Sequence, residues 1–184
     1  MACLCVFAGA ASGKSDSLAE QVFELAHALS QSGHSFIYGG GRTGLMGAFA
    51  NGVISQGGHI HGIIPAFLED REVAHDGLSQ LTITKTMHER KTLMYQPADG
   101  FLILPGGLGT LDETMEVLTW RQLGKLSGPL FTYSPNGYWD PMKDLIHHIE
   151  NEGFAHSEGL GEIFWQHDIK DVIEDCNRYF AQAG

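Results

Sequence analysis

No stretch of the 184 residues stays apolar for the ~18 positions that a membrane-spanning helix needs, so no such span is expected. The first residues, MACLCVFAGAASGKS, carry neither a basic leader nor a signal-cleavage pattern, and the cytoplasm is the expected location. Cations are scarce: 11 Lys plus Arg stand against 22 Asp plus Glu, a net charge of -11. That balance argues against a nucleic-acid polymer or an anionic membrane surface as partner, since both need a basic face. A small anion stays possible, because a few backbone N–H groups and one or two cations suffice to hold it. Cysteine is sparse as well. Cys3 and Cys5 alternate with apolar residues and read as buried structural thiols, and with Cys176 they form neither a disulfide framework nor a zinc pattern. Of ten histidines, His59 with His61 and His147 with His148 are paired in sequence, but no third ligand joins either pair, so no metal is expected.

Glycine is what the chain has in excess. The 24 glycines gather in GAASG (9–13), GGGRTGLMG (39–47) and PGGLGT (105–110), each between a short apolar run and a helical pattern. This is how an α/β domain places its ligand loops. Strands are expected at Leu4 to Ala8, Ser35 to Tyr38, His59 to Ile64, Leu81 to Thr84, Phe101 to Leu104 and Leu130 to Tyr133. Helices are expected from a capping box at Ser17 to Glu20 until Gly33, and at Gly44 to Gln56, Met87 to Tyr95, Thr110 to Leu123, Met142 to Glu152 and Ile169 to Ala181. Phe67 to Gln80 reads as an irregular surface loop. The alternation implies one domain over residues 1–184: a Rossmann-like, doubly wound, mostly parallel sheet flanked by helices.

The three loops differ in what they can hold. Gly9 to Ser15 falls one residue short of a P-loop when counted from Gly9, and no apolar strand ends in an Asp to hold Mg²⁺. Gly39 to Gly47 allows close backbone approach, but no acidic residue follows at a strand end to bind a ribose. Pro105 to Glu113 is the most specific stretch. Pro105 stops a strand, the glycines expose successive N–H groups, and Thr110 is expected at or near a helix N-cap, where a phosphate gains the orphan N–H groups and the helix dipole. Glu113, expected in the first helical turn, would alone read as a favourable first-turn acid, and Arg90 and Lys91 of MHERK as a solvated helix start. Both segments begin helices after strands, so they share the sheet edge where α/β ligands bind, and together they favour a functional site.

GGGRTGLMG, MHERK and PGGLGTLDE, in this order, resemble the LOG (Lonely guy) family of cytokinin riboside 5′-monophosphate phosphoribohydrolases. The resemblance runs from Cys3 to about Gly153 and includes Ile64-Pro65, the stretch up to His75 and Leu118 to Gly124. It implies hydrolysis of an N6-prenylated AMP, or AMP itself, to free base and ribose 5-phosphate. It implies Arg90 and Glu113 as the catalytic pair, with Glu72, Lys91, Gly107, Leu108, Gly109, Thr110, Leu111, Asp112 and Thr119 joining them as substrate-binding positions. Asp112 stands where many members have Glu, and Thr43 fills a variable slot. Glu113, held ionised by the helix dipole, would stabilise a ribosyl cation and activate water, Arg90 would orient the substrate, and the Gly107–Thr110 loop would hold its phosphate. The acid that protonates the leaving base has no assigned residue. Water attacks carbon and not phosphorus, so neither metal nor cofactor is called for. Members have carried the label "lysine decarboxylase", but no lysine here invites a pyridoxal-binding role. The resemblance also implies a homodimer; on the residues alone, Met115, Leu118 and Leu123 are candidates for its face, and Trp120, Trp139 and Trp165 read as core or interface. A non-catalytic carrier of nucleotide or molybdenum cofactor on the same fold is the alternative, and a small kinase a third reading.

Overall fold

A computed structural model describes residues 1–15, 17–68 and 73–182. Its strands are β1 (Cys3–Phe7), β2 (Ser35–Tyr38), β3 (Ile60–Pro65), β4 (Gln80–Thr84), β5 (Gly100–Ile103), β6 (Leu130–Tyr133) and β7 (Ile163–Gln166). They form one parallel sheet in the order β4-β3-β2-β1-β5-β6-β7. The helices are α1 (Leu18–Gln31), α2 (Gly44–Ser55), α3 (Met87–Tyr95), α4 (Leu108–Gln122), α5 (Asp140–Asn151), a single turn α6 (Ser157–Leu160) and α7 (Ile169–Gln182).

The pleat of β1 shows why two layers of helices are needed. Leu4 and Val6 face one side, where α1, α2 and α7 bring Leu25, Leu29, Phe49, Val53 and Val172. Cys5 and Phe7 face the other, where α3, α4 and α5 bring Met94, Val117 and Met142. Side chains alternate across a strand, so a central strand buried on both faces must be apolar throughout, as CLCVF is. All three thiols are unpaired, and burial pushes those of Cys5 and Cys176 up.

Three expectations need correcting. β7 and α6 were not anticipated: IFWQ is a four-residue edge strand, half-buried along its length, and SEGL is a single helical turn. Ser17 precedes α1 in a helical backbone conformation (φ -80°, ψ -15°), which turns its hydroxyl away from the helix N–H groups, so no capping box forms there. Leu118 is buried in the core of its own chain and offers nothing to a dimer face.

The strand order positions the site. After β1 the chain moves to β2 on one side, while β5 lies on the other, so the β1–α1 and β5–α4 connections part above neighbouring strand ends and open a crevice. Gly44 (φ +59°) closes its floor: a Cβ there would overlap the Ala10 carbonyl, which locks the β2–α2 turn against the β1 loop.

Candidate active site

A cleft of about 900 Å³ fills that crevice. The β1 loop forms one wall with Ala10, Ala11, Gly13, Lys14 and Ser15. Pro105, Gly106 and the start of α4 form the second, Leu45, Met46 and Met87 the third, and the turn at Pro135, Asn136 and Tyr138 the fourth.

The start of α4 is unusual in what it leaves open. Gly107 is the N-cap, with no side chain to cap the helix, and the first helical bond runs from Leu111 N–H to the Gly107 carbonyl at 3.1 Å. The N–H groups of Leu108, Gly109 and Thr110 therefore have no acceptor among the described residues. Nothing in the chain demands glycine at 107 or 109: neither has positive φ, and a Cβ at either would meet no atom within 4 Å. Gly106 is different, since its Cβ would overlap the buried Thr110 hydroxyl. Thr110 is thus the third helical residue and not the cap. Glu113 is the sixth, in the second turn of α4, where the pull of the helix dipole has largely faded.

Across the cleft, α3 is capped as Ser17 fails to cap α1. Thr86 Oγ1 accepts from Glu89 N–H at 3.1 Å, and Glu89 Oε2 accepts from Lys85 N–H at 2.9 Å. The T-x-x-E spacing of Thr86 to Glu89 is the sequence signature of this cap. Arg90, in the next turn, is only 6% exposed. Its Nε donates to the Ile63 carbonyl at 3.1 Å and its Nη2 to the Gly39 carbonyl at 3.4 Å, so the guanidinium lies across the ends of β3 and β2. Beneath the cleft, the Cys5 thiol is raised chiefly by burial; the negative charge of Glu113 adds to this and the positive charge of Arg90 opposes it. The Tyr95 phenol is likewise raised, first by burial and then by the charges of Glu113 and Glu116, and it donates to Glu116 Oε2 at 3.2 Å. Among the described residues no three His, Cys, Asp or Glu side chains converge as a metal site, and no helix is long and apolar enough to cross a membrane.

Residues 46–176 match a family model described as "possible lysine decarboxylase". The cytokinin riboside 5′-monophosphate phosphoribohydrolase LOG of Oryza sativa subsp. japonica is 40% identical over 179 residues, 97% of this chain and 74% of that one. The chain belongs to the LOG family. The cytokinin riboside 5′-monophosphate phosphoribohydrolase of Rhodococcoides fascians is 37% identical over 169 residues, 91% of this chain and 85% of the other. A Moco carrier protein from Chlamydomonas reinhardtii superposes with a TM-score of 0.74 over 98% of both chains, at 15% identity, a likeness of fold alone.

The site positions expected from the resemblance divide into two groups in this chain. Arg90, Gly107, Gly109, Thr110, Asp112 and Glu113 line the cleft. Lys91, Leu108, Leu111 and Thr119 lie outside its walls. Lys91 Nζ is 2.8 Å from Asp112 Oδ2 and 2.6 Å from Glu116 Oε2, joining α3 to α4. Leu108 is 85% exposed, Leu111 packs on the core, and Thr119 Oγ1 donates to the Met115 carbonyl at 2.8 Å. Glu72 falls outside the described residues. The apolar wall of Leu45, Met46 and Met87 and the turn at Pro135 to Tyr138 were not singled out as site residues, because only the strand order brings them to the cleft.

Proposed function

We propose that this protein hydrolyses the N-glycosidic bond of a nucleoside 5′-monophosphate, an N6-prenylated AMP or AMP itself, releasing free base and ribose 5-phosphate. The observation that carries the reading is the open start of α4, whose glycines at 107 and 109 no packing within the chain requires, beside Arg90 and Glu113 in one cleft. The names of the relatives support the same substrate class. In this reading the phosphate accepts from the N–H groups of Gly109 and Thr110, where oriented amides and the helix dipole favour an anion. The base lies toward Leu45, Met46 and Met87. As the C1′–N bond breaks, its electron pair leaves with the base. The Glu113 carboxylate stabilises the positive charge growing on the ribose and takes a proton from the water that bonds to C1′, while the departing base takes up one proton from solvent, so that free base and ribose 5-phosphate result. Arg90, fixed by two carbonyls, sets the opposite charge beside that carboxylate.

A decarboxylase working through a lysine–pyridoxal adduct does not fit these residues. Lys14 is the lysine on the cleft wall and is exposed on the β1 loop, while Lys91 is engaged by two carboxylates. We also propose a homodimer: Leu108, Met115, Thr119 and Leu123 share one side of α4 at helical spacing, beside the cleft mouth, and a second copy there would bring Leu108 and Thr119 into a site. The unpaired thiols suit a reducing, cytoplasmic setting.

Incubation with AMP and, separately, isopentenyladenosine monophosphate, followed by chromatography, tests the reading. Release of base is expected, and the ratio of the two rates tells a cytokinin-directed enzyme from a general nucleotide hydrolase. Tight nucleotide binding with no release from either would replace the enzyme with a carrier.

A further inference from the structure

Three successive carbonyls of the β5–α4 loop are each held by a donor from outside it. Trp139 Nε1 donates to the Leu104 carbonyl at 3.3 Å, Gly9 N–H to that of Pro105 at 3.0 Å, and the Tyr138 hydroxyl to that of Gly106 at 2.5 Å. In a trans peptide the C=O and the following N–H lie in one plane and point in opposite directions. Holding the Gly106 carbonyl therefore fixes where the Gly107 N–H points. This peptide joins two glycines, the residues with the widest backbone freedom, and nothing packs where a Gly107 Cβ would lie. Left unheld, it is the softest plane in the loop, directly ahead of the open N–H groups of α4.

Tyr138 is itself firmly set. Its ring stands edge-on to Trp139 with centroids 4.8 Å apart. The turn that carries it has Asn136 at φ 53°, a conformation Asn tolerates, and is closed by Ser134 Oγ, which accepts from Trp139 N–H at 2.8 Å and donates to Asp140 Oδ1 at 3.1 Å. Yet the Tyr138 side chain is 50% exposed and lines the cleft. An aromatic ring that contributes little to the core has its hydroxyl on the backbone of the ligand loop.

We propose that Tyr138 is a positioning residue: by holding the Gly106 carbonyl it aims the Gly107 N–H, next to the open N–H groups of α4, at the substrate's phosphate. The inference rests on the nucleotide reading of the cleft, but its test does not need turnover. Calorimetric binding of ribose 5-phosphate, AMP and adenosine is compared between the wild type and Tyr138→Phe, which removes one oxygen and keeps the half-exposed ring. The two phosphate ligands are expected to bind about tenfold more weakly, the change that one ordinary hydrogen bond represents, with adenosine unaffected. In turnover of AMP, KM rises and kcat holds. Unchanged affinity for the phosphate ligands overturns the inference, as does an equal loss for adenosine, which would mean a general loosening of the cleft. A wild type that binds neither phosphate ligand also overturns it. A wild type that binds both without cleaving AMP refutes the hydrolase reading alone and leaves the Tyr138→Phe comparison in force.

Discussion

Arg90 and Glu113 reach the cleft from different helices and depend on their surroundings in different ways. Glu113 lines the cleft from the second turn of α4, and Glu113→Gln keeps its shape while removing the charge. Turnover is expected to fall by about 10²-fold or more, as for a positioned carboxylate, with nucleotide binding retained. A variant that keeps near-full turnover would remove Glu113 from the reaction. Arg90 is held from behind, and Gly39 is the residue that makes room for it: the backbone there has no positive φ, but a Cβ would overlap Arg90 Nη2. Gly39→Ala is therefore expected to fold while displacing the guanidinium, with kcat/KM down by about 10-fold to 10²-fold, the scale of an ångström's misplacement. Wild-type kcat/KM in this variant would show that the guanidinium position does not matter.

The helices α3 and α4 carry the two catalytic candidates, and Lys91 joins them through Asp112 and Glu116. Burial of Lys91 works to lower its pKa, but the hydrogen bonds and charges of the two carboxylates outweigh it and hold the ammonium above its usual 10.5. A lysine raised on folding contributes its stability in full below the unfolded value and loses it as pH climbs through the folded one. The stability difference between the wild type and Lys91→Met, from urea unfolding, is thus expected to be flat from about pH 7 to about pH 10, to shrink above that, and not to exceed about 1 kcal/mol because Asp112 is exposed. A difference that grows in alkali would contradict the pairing.

These same elements mark how far the sequence could be read. The Met87–Tyr95 helix was legible to the residue, and the inner strands to within one or two, because strands buried on both faces are apolar runs ended by glycine or proline. The edge strand Ile163–Gln166 was not, since three apolar residues in a row serve a short strand, a helical turn or a loop equally well. That Arg90 and Glu113 come to one cleft was legible through motif resemblance. The separation of Lys91 from the cleft and the arrival of Tyr138 in it were not, because both follow from helix rotation and strand order, which no local pattern encodes.

The whole molecule carries a charge of -11, and two copies joining must work against it. The side of α4 proposed as their contact is mainly apolar, with Leu108 and Leu123 exposed and Met115 half-buried between them. Apolar burial does not weaken as salt rises to moderate levels, whereas repulsion between like-charged chains is screened over a Debye length that shortens to ~10 Å near 0.1 M. Sedimentation equilibrium should therefore show the dimer tightening as NaCl rises from about 0.02 M to about 0.2 M. Leu123→Glu, which puts a further negative charge on the exposed C-terminal end of that contact, should leave a monomer in both. Because Leu108 adjoins Gly107 at the cleft mouth, the monomeric variant should also show a raised KM for nucleotide. An association that weakens with salt would mean ion pairs hold the copies together, and a dimer that survives Leu123→Glu would place the contact on another face.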